Sequence, residues 1–159
     1  MAWGSQETGS GVGERGSVAE HWQTGAIAGL LAAIVFGAVV ADTSAMAAVA
    51  AMFGVDSRGL GWLFHLGFGV AFGVGYSVIA STARGSTWAS RPASGGVVGL
   101  AYGFVLWAVG AALVAPLWLG IRSVGDVAAP AIEAPVLVGH LVYGLVLGVL
   151  YPVLVELEA

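Results

Sequence analysis

The fold of this chain is decided by GWLFHLGFGVAFGVGYSVI at residues 61–79 and by VLVGHLVYGLVLGVLYPVL at residues 136–154. Each stretch is apolar over about 20 residues, the length with which an α-helix crosses the hydrocarbon core of a bilayer. Each also carries a histidine, two glycines and a tyrosine at the same spacing. The two stretches therefore predict a pair of membrane-spanning helices with related sequences.

The composition of the whole chain indicates the same class of protein. Of its 159 residues, 58% are hydrophobic and 9% are charged, and the mean hydropathy is +0.94. Soluble domains are roughly 45–50% apolar and about 25% charged. Continuous apolar runs favour helices over the alternating strands of a barrel, and a helix satisfies its own backbone hydrogen bonds in lipid. The chain is therefore predicted to be an all-α integral membrane protein.

Four apolar stretches lie at residues 24–42, 60–80, 96–119 and 135–155. They predict four transmembrane helices in one domain, residues 24–155. After Asp42 the first helix is expected to continue, either tilted or along the membrane surface. Residues 1–23 are polar, rich in Gly and Ser and without the apolar core of a signal peptide, so they predict a flexible tail. Residues 156–159 are a short acidic C-terminal end.

An internal repeat is the strongest pattern in the sequence. A shift of 75 residues aligns His65 with His140, Gly69 with Gly144, Gly73 with Gly148 and Tyr76 with Tyr151. A shift of 70 aligns GAIAGL at residue 25 with GGVVGL at residue 95, and a shift of 66 aligns FGVDS at residue 53 with LGIRS at residue 119. The His and Tyr matches are informative, because the chain holds only three His. The predicted bundle is built from two parallel helical-hairpin repeats, residues 24–80 and 96–155.

The aligned residues share one face of each helix. Offsets of 0, 4, 8 and 11 residues, at about 100° per residue, place the histidine, both glycines and the tyrosine on one arc. Small residues four apart let helix backbones approach closely in lipid. We therefore predict helix-packing roles for Gly69, Gly73, Gly144 and Gly148. Tight packing of helices two and four through them would leave no room for a macrocycle.

The histidines are the only candidates for a cofactor site. His65 and His140 are predicted at matching depth on related helices, the arrangement that a bis-histidine b-type haem or a bridged metal needs. A metal ion bound by the two histidines would need further ligands. The sequence offers only Asp42 and Asp56, which are expected on the same side of the membrane. We favour a structural role, in which each imidazole hydrogen-bonds a neighbouring helix or water near the membrane surface, with neither metal nor cofactor.

Catalytic chemistry is excluded on several grounds. The chain has no Cys, which removes thiolate metal sites and a Cys nucleophile, and all five basic residues are Arg, which removes Schiff-base and Walker lysines. Ionisable residues are missing from the middle of the predicted helices, and no Ser-His-Asp arrangement emerges. The net charge of -4 offers no basic patch to nucleic acid. The sequence predicts a protein that is not an enzyme.

Aromatic and basic residues predict the placement in the membrane. Tyr76, Tyr151, Trp62 and Trp118 are predicted to lie at the membrane interfaces, where amphipathic rings are enriched. Three arginines lie in the tail and the second loop, against two in the first and third loops. By the positive-inside rule both termini are expected in the cytoplasm, with the protein in the cell membrane.

The second half of the chain resembles a known family. YGFVLWAVGAALVAPLWLGI, a polar loop and GHLVYGLVLGVLYPVL look like the four-helix membrane proteins of the YagU type and their haloarchaeal relatives. In these, a Pro-containing end of helix three precedes a Gly-His-Leu start of helix four. The matching positions are Pro116, Gly120, Gly139, His140 and Gly144. The resemblance implies an integral membrane protein, linked in some members to stress tolerance, and transfers no catalytic residue. The lack of Lys and the acidic balance fit a haloarchaeal member.

Three functions are compatible with these patterns. The first is a non-enzymatic scaffold or accessory subunit that binds membrane lipids or partner helices through Gly-lined grooves, as a homo-oligomer or in a membrane complex. The second is a b-type haem electron-transfer subunit that uses His65 and His140. The third is a small-solute channel or transporter formed by oligomerisation. We expect the first.

Overall fold

The chain is helical throughout the described part of the structure. The computed structural model describes residues 16–82, 87–122 and 129–158, and within these ranges it holds no strand. Its elements are α1 (Gly16–Val39), α2 (Ala45–Met52), α3 (Arg58–Ala80), α4 (Pro92–Val105), a π-helix (Leu106–Val114), α5 (Ala115–Ile121) and α6 (Ala134–Glu158).

Four of the helical segments are long and apolar enough to cross a membrane. They are His21–Val39, Arg58–Ala80, Pro92–Ile121 and Ala134–Glu158, the third being α4, the π-helix and α5 taken together. Each covers most or all of one predicted stretch. The predicted all-α class with four apolar helices is therefore confirmed.

Both ends of the described chain are more helical than the sequence predicts. The first helix begins at Gly16, so that the last residues of the predicted flexible tail are helical, while residues 1–15 and Ala159 lie outside the described residues. The hydroxyl of Thr24 donates to a carboxylate oxygen of Glu158 at 2.6 Å. This hydrogen bond joins the start of the first span to the end of the last, and the acidic C-terminal end is part of α6 as far as Glu158.

The first helix does not continue past Asp42, contrary to expectation. The hydroxyl of Thr43 donates to the carbonyl of Val40 at 2.8 Å and accepts the N–H of Ala45 at 3.1 Å. A side chain that bonds the backbone locally in this way competes with the helical ladder. The chain therefore turns after Val39 and starts again as α2. This short helix packs on α3 where Gly61, without a side chain, meets the backbone of Met46.

The close backbone contacts run in the order α3, α1, α6, α4. Glycines form two of these helix-to-helix contacts. A Cβ added at Gly29 of α1 would overlap the carbonyl oxygen of Gly69 in α3, and one added at Gly99 of α4 would overlap that of Gly144 in α6. The glycines thus join α1 to α3 and α4 to α6. Tight packing of the second and fourth spans through these glycines is not found.

Side chains close the bundle where backbones do not meet. The Tyr102 hydroxyl of α4 donates to the carbonyl of Phe72 in α3, and the Tyr143 hydroxyl of α6 donates to that of Gly69, both at 2.8 Å. Neither α4 nor α6 is among the helices in close backbone contact with α3. These tyrosines therefore act as spacers and leave room inside the bundle.

Candidate functional site

A cavity of about 500 Å³ occupies this room. Phe68 and Phe72 of α3 line it, as do Leu106 and Gly110 of the π-helix. Residues of α1 and α6 also line it, and α2 contributes Ala45, Met46, Ala48, Val49 and Met52. Its volume lies within the range of about 300–1,000 Å³ typical of sites for small organic molecules.

The π-helix shapes the outer wall of the cavity. It ends just before Pro116, which has no N–H to donate to the carbonyl of Ala112, four residues earlier. That carbonyl instead accepts the N–H of Ala131 at 2.9 Å. The contact folds the chain leading into α6 back onto the π-helix and brings Glu133 to the cavity. Wide helical turns of this kind occur often at functional sites.

Both candidate histidines line the cavity. The Nε2–H of His65 donates to the carbonyl of Ala33 in α1 at 2.9 Å, and the Nδ1–H of His140 donates to the carbonyl of Val136, one turn earlier in α6, at 2.8 Å. A carbonyl oxygen only accepts, so these assignments determine which nitrogen carries the proton. The first bond joins two helices, whereas the second stays within one.

The ring of Phe36 lies between the two imidazoles. Its centroid is 4.8 Å from that of His65 and 4.7 Å from that of His140. Axial ligation would require a nitrogen of each imidazole to face the same iron from opposite sides of a porphyrin. With Phe36 between them, and with Nε2 of His65 bonded to Ala33, the two residues do not fit a bis-histidine haem.

A metal site finds no further ligands in the described ranges. They hold no group of three His, Asp or Glu residues placed to bind one ion. Asp42 and Asp56, expected on the same side of the membrane as the histidines, are not part of the cavity lining.

The cavity has a polar end and an apolar end. Ser44, from the turn after α1, and Glu133, from the segment before α6, line it together with the two histidines. Phe72 lies seven residues beyond His65 along α3, which is about 10 Å deeper at ~1.5 Å per residue. No Arg is among the lining residues. An occupant would therefore meet polar groups and one carboxylate near the start of α3 and α6, and further in mainly apolar groups beside the hydroxyl of Tyr143.

The predicted interfacial aromatics have different environments. Tyr76 and Tyr151 are buried, and their rings meet edge to face with centroids 5.5 Å apart. They point into the bundle because they share the inward arc of the glycines, and their depth at the membrane interface stays a prediction. Trp62 is half-buried, with its ring beside Gly37. Trp118 is exposed, and its Nε1–H donates to the carbonyl of Met52 at 2.8 Å.

Sequence reasoning missed the residues that create the cavity. Phe36, Tyr102 and Tyr143 lie in apolar runs, and nothing in their spacing distinguishes them from packing residues. Pro116 offered a signal, because a proline inside an apolar stretch disturbs the helix before it. Its effect on the π-helix was not predicted.

Comparison with protein-family models, with curated proteins and with solved structures finds no match for this chain. The role of the cavity is therefore argued from its own residues. Membership in the YagU-type family stays a prediction.

Proposed function

We propose that the chain is a multi-pass, non-enzymatic membrane protein that binds an apolar molecule from the bilayer in the cavity between α3 and the π-helix. The observation that carries the proposal is the cavity itself, about 500 Å³ in volume and lined mainly by aliphatic and aromatic side chains. Sites for small organic molecules share this character, with few polar groups to orient the ligand.

The outer surface of the bundle supports insertion into a membrane. Large apolar side chains are exposed on every long helix, among them Ile34, Leu63, Val97, Leu113 and Val138. A soluble protein rarely exposes so continuous an apolar surface, whereas lipid tails solvate it without cost.

The glycine contacts support two parallel hairpin repeats. The contact of Gly29 with Gly69 in the first half corresponds to that of Gly99 with Gly144 in the second. The shifts of 70 and 75 residues, found in the sequence alone, relate the two pairs. Gly25 meets Gly73, and Gly95 meets Gly148, under the same shifts. Segments aligned by sequence thus make the same contacts.

The arginine distribution supports an orientation with both termini in the cytoplasm of the cell. In that orientation, the polar end of the cavity lies near the outer leaflet, because α3 and α6 both begin there. A lipid or similar molecule of that leaflet would then have its polar group beside the histidines and its tail towards Phe72.

The cavity replaces the Gly-lined grooves as the expected binding site. A Cβ at Gly73 or Gly148 would meet backbone of the neighbouring helix, so these faces are already filled by the bundle itself. A lipid or partner helix would have to separate α1 from α3, or α4 from α6, to reach them.

The apolar lining of the cavity also lacks the chain of polar groups that a channel for ions needs.

A filling substitution tests the proposal. Gly110 lines the cavity, and a Cβ there meets no atom within 4 Å. Gly110→Phe should therefore fill the space without breaking a helix contact. Gly120→Phe is the matched control, because that glycine also has open space around it but does not line the cavity. Ala111→Phe is a second filler from the same wall.

The measurement uses a photoreactive long-chain alkyl diazirine with the protein in phosphatidylcholine nanodiscs. In the parent and in Gly120→Phe, the probe should label peptides containing Phe68 and Phe72, and excess unlabelled alkane should compete. Labelling of these peptides should fall at least threefold in both filled variants, while labelling of the lipid-facing side of α1 stays constant. Equal labelling in all four proteins would overturn the proposal.

A further inference from the structure

The two imidazoles present hydrogen-bond acceptors. A neutral imidazole that donates from one nitrogen accepts at the other. Since His65 donates from Nε2 and His140 from Nδ1, the accepting atoms are Nδ1 of His65 and Nε2 of His140. Among the described residues, the only buried side-chain nitrogen or oxygen without a partner is Nε1 of Trp107. The two accepting nitrogens are therefore not sealed inside the protein, and both residues line the cavity.

Among the remaining polar groups of the lining, Glu133 and Tyr143 disfavour other head groups. Glu133 places a carboxylate at the polar end, and no cationic side chain lines the cavity to balance a second anion. The hydroxyl proton of Tyr143 is already donated to Gly69. A carboxylate or phosphate head would meet like charge, and an ester, ketone or ether head would meet lone pairs on both imidazoles. A head that donates hydrogen bonds satisfies them.

We propose that the ligand is a neutral amphiphile with an alcohol or phenol head, whose O–H donates to His140 or His65, and whose apolar tail lies towards Phe72 and Leu106. This inference rests on the proposed function and adds the chemistry of the head group. Polar groups line one end of the cavity and apolar side chains the other, and this separation determines the orientation in which such a molecule binds.

Three matched compounds test the head group. Dodecanol, its methyl ether and dodecanoate share one tail and differ in the head, which donates, only accepts, or is anionic. Each competes with a photoreactive long-chain alcohol for the cavity in phosphatidylcholine nanodiscs at neutral pH. Dodecanol should compete about tenfold more strongly than the ether, the ratio expected of one hydrogen bond worth about 1.4 kcal/mol. Dodecanoate should be weaker than dodecanol.

A substitution at His140 tests whether its imidazole causes the preference for dodecanol over the ether. His140 bonds only within its own helix, so His140→Phe removes the acceptor without breaking a helix-to-helix bond. The variant should bind the ether as the parent does and lose at least threefold of its preference for dodecanol. Glu133→Gln should raise the affinity for dodecanoate relative to dodecanol, while the preference of dodecanol over ether persists.

The outcomes separate this inference from the proposed function. If neither dodecanol nor the ether competes in the parent protein, the proposed function fails, and this inference with it. If both compete equally, or if dodecanoate competes best, the cavity binds apolar molecules but the head-group inference is wrong. Unchanged preference in both His140→Phe and His65→Phe, which remove the two acceptors, would equally overturn it.

Discussion

The first half of the chain, residues 16–82, and the second half, residues 87–158, are alike at one end of the bundle and different at the other. Towards the tyrosine end, glycines join α1 to α3 and α4 to α6 in the same way. Towards the histidine end, α1 stops at a turn and restarts as α2, whereas α4 continues through the π-helix into α5. Stretches that align at fixed shifts can thus share their helix contacts and still differ in helix continuity.

The difference in helix continuity follows from four additional residues in the first half. The shift that aligns the two halves is 70 at residue 25 and 66 at residue 53, so the first half is longer by four residues between these points. The turn at Asp42, Thr43 and Ser44 lies in this interval, and Thr43 bonds it to Val40. Without the extra residues the second half stays helical, and Pro116 disturbs its hydrogen bonding instead.

The consequence is an uneven bundle. The first and last spans, α1 and α6, are in close contact, with the ring of Phe36 against Gly139. The opposite pair, α3 and α4, is bridged by the Tyr102 hydroxyl without close backbone contact. The cavity lies on that looser side, between α3 and the π-helix. A symmetrical bundle would have closed both sides.

The largest expected effect concerns the contacts that both halves share. Gly73→Leu and Gly148→Leu each place a side chain against the backbone of a neighbouring helix, at Gly25 and Gly95 respectively. Each should destabilise the bundle by about 3 kcal/mol, the upper range for overpacking, and by similar amounts because the contacts correspond. Thermal unfolding in detergent, followed by circular dichroism, measures both.

A control in the same helix is available for this comparison. A Cβ at Gly67 of α3 meets no atom within 4 Å, so Gly67→Leu should leave the midpoint of unfolding nearly unchanged. If Gly73→Leu melted at the same temperature as Gly67→Leu, the glycine contact would not be a determinant of the fold. A large effect in one half only would show that the two contacts are not equivalent.

An intermediate effect is expected for the tyrosine spacers, which have no counterpart in the first half. Under the same shifts Tyr143 aligns with Phe68, and Tyr102 with Ala32. Tyr143→Phe and Tyr102→Phe should each cost about 1 kcal/mol, within the range for hydrogen bonds between helices in membranes. Tyr76→Phe serves as the control, since its hydroxyl is 3.4 Å from its acceptor on Gly95. Equal costs for all three would argue against a special role of the spacers.

The smallest effect is expected for the histidines as structural groups. Glutamine can still donate and accept, so His65→Gln and His140→Gln should each cost about 0.6 kcal/mol or less. His65→Gln should be the more costly, because His65 bonds α3 to α1 while His140 bonds its own helix. Absorbance spectra and metal analysis of purified parent and variants complete the test. A chromophore or metal lost equally from both variants would establish a paired ligand site.

Part of the site could be predicted from the sequence. The histidine pair could be identified because a rare residue recurs at the spacing of the repeat. The four glycines could be identified because they share a face with the histidines, and spacing on a helix determines which residues share a face. The cavity was not predicted, since it depends on Phe36, Tyr102 and Tyr143, which come from three different helices. The burial of Tyr76 and Tyr151 was not predicted, because position along a helix indicates depth but not whether a ring lies inside or outside a bundle.

The sequence by itself determined the all-α class, the number of apolar helices and the residues small enough for close helix contacts. These properties are local: they depend on the length of an apolar run and on which side chains lie four residues apart. Only the tertiary structure decided that glycines join α1 to α3 and α4 to α6, that Thr43 ends the first helix, and that Ala131 completes the bonding beside Pro116. These outcomes depend on which backbone groups find partners once the helices have assembled, and residues far apart in the chain supply many of those partners.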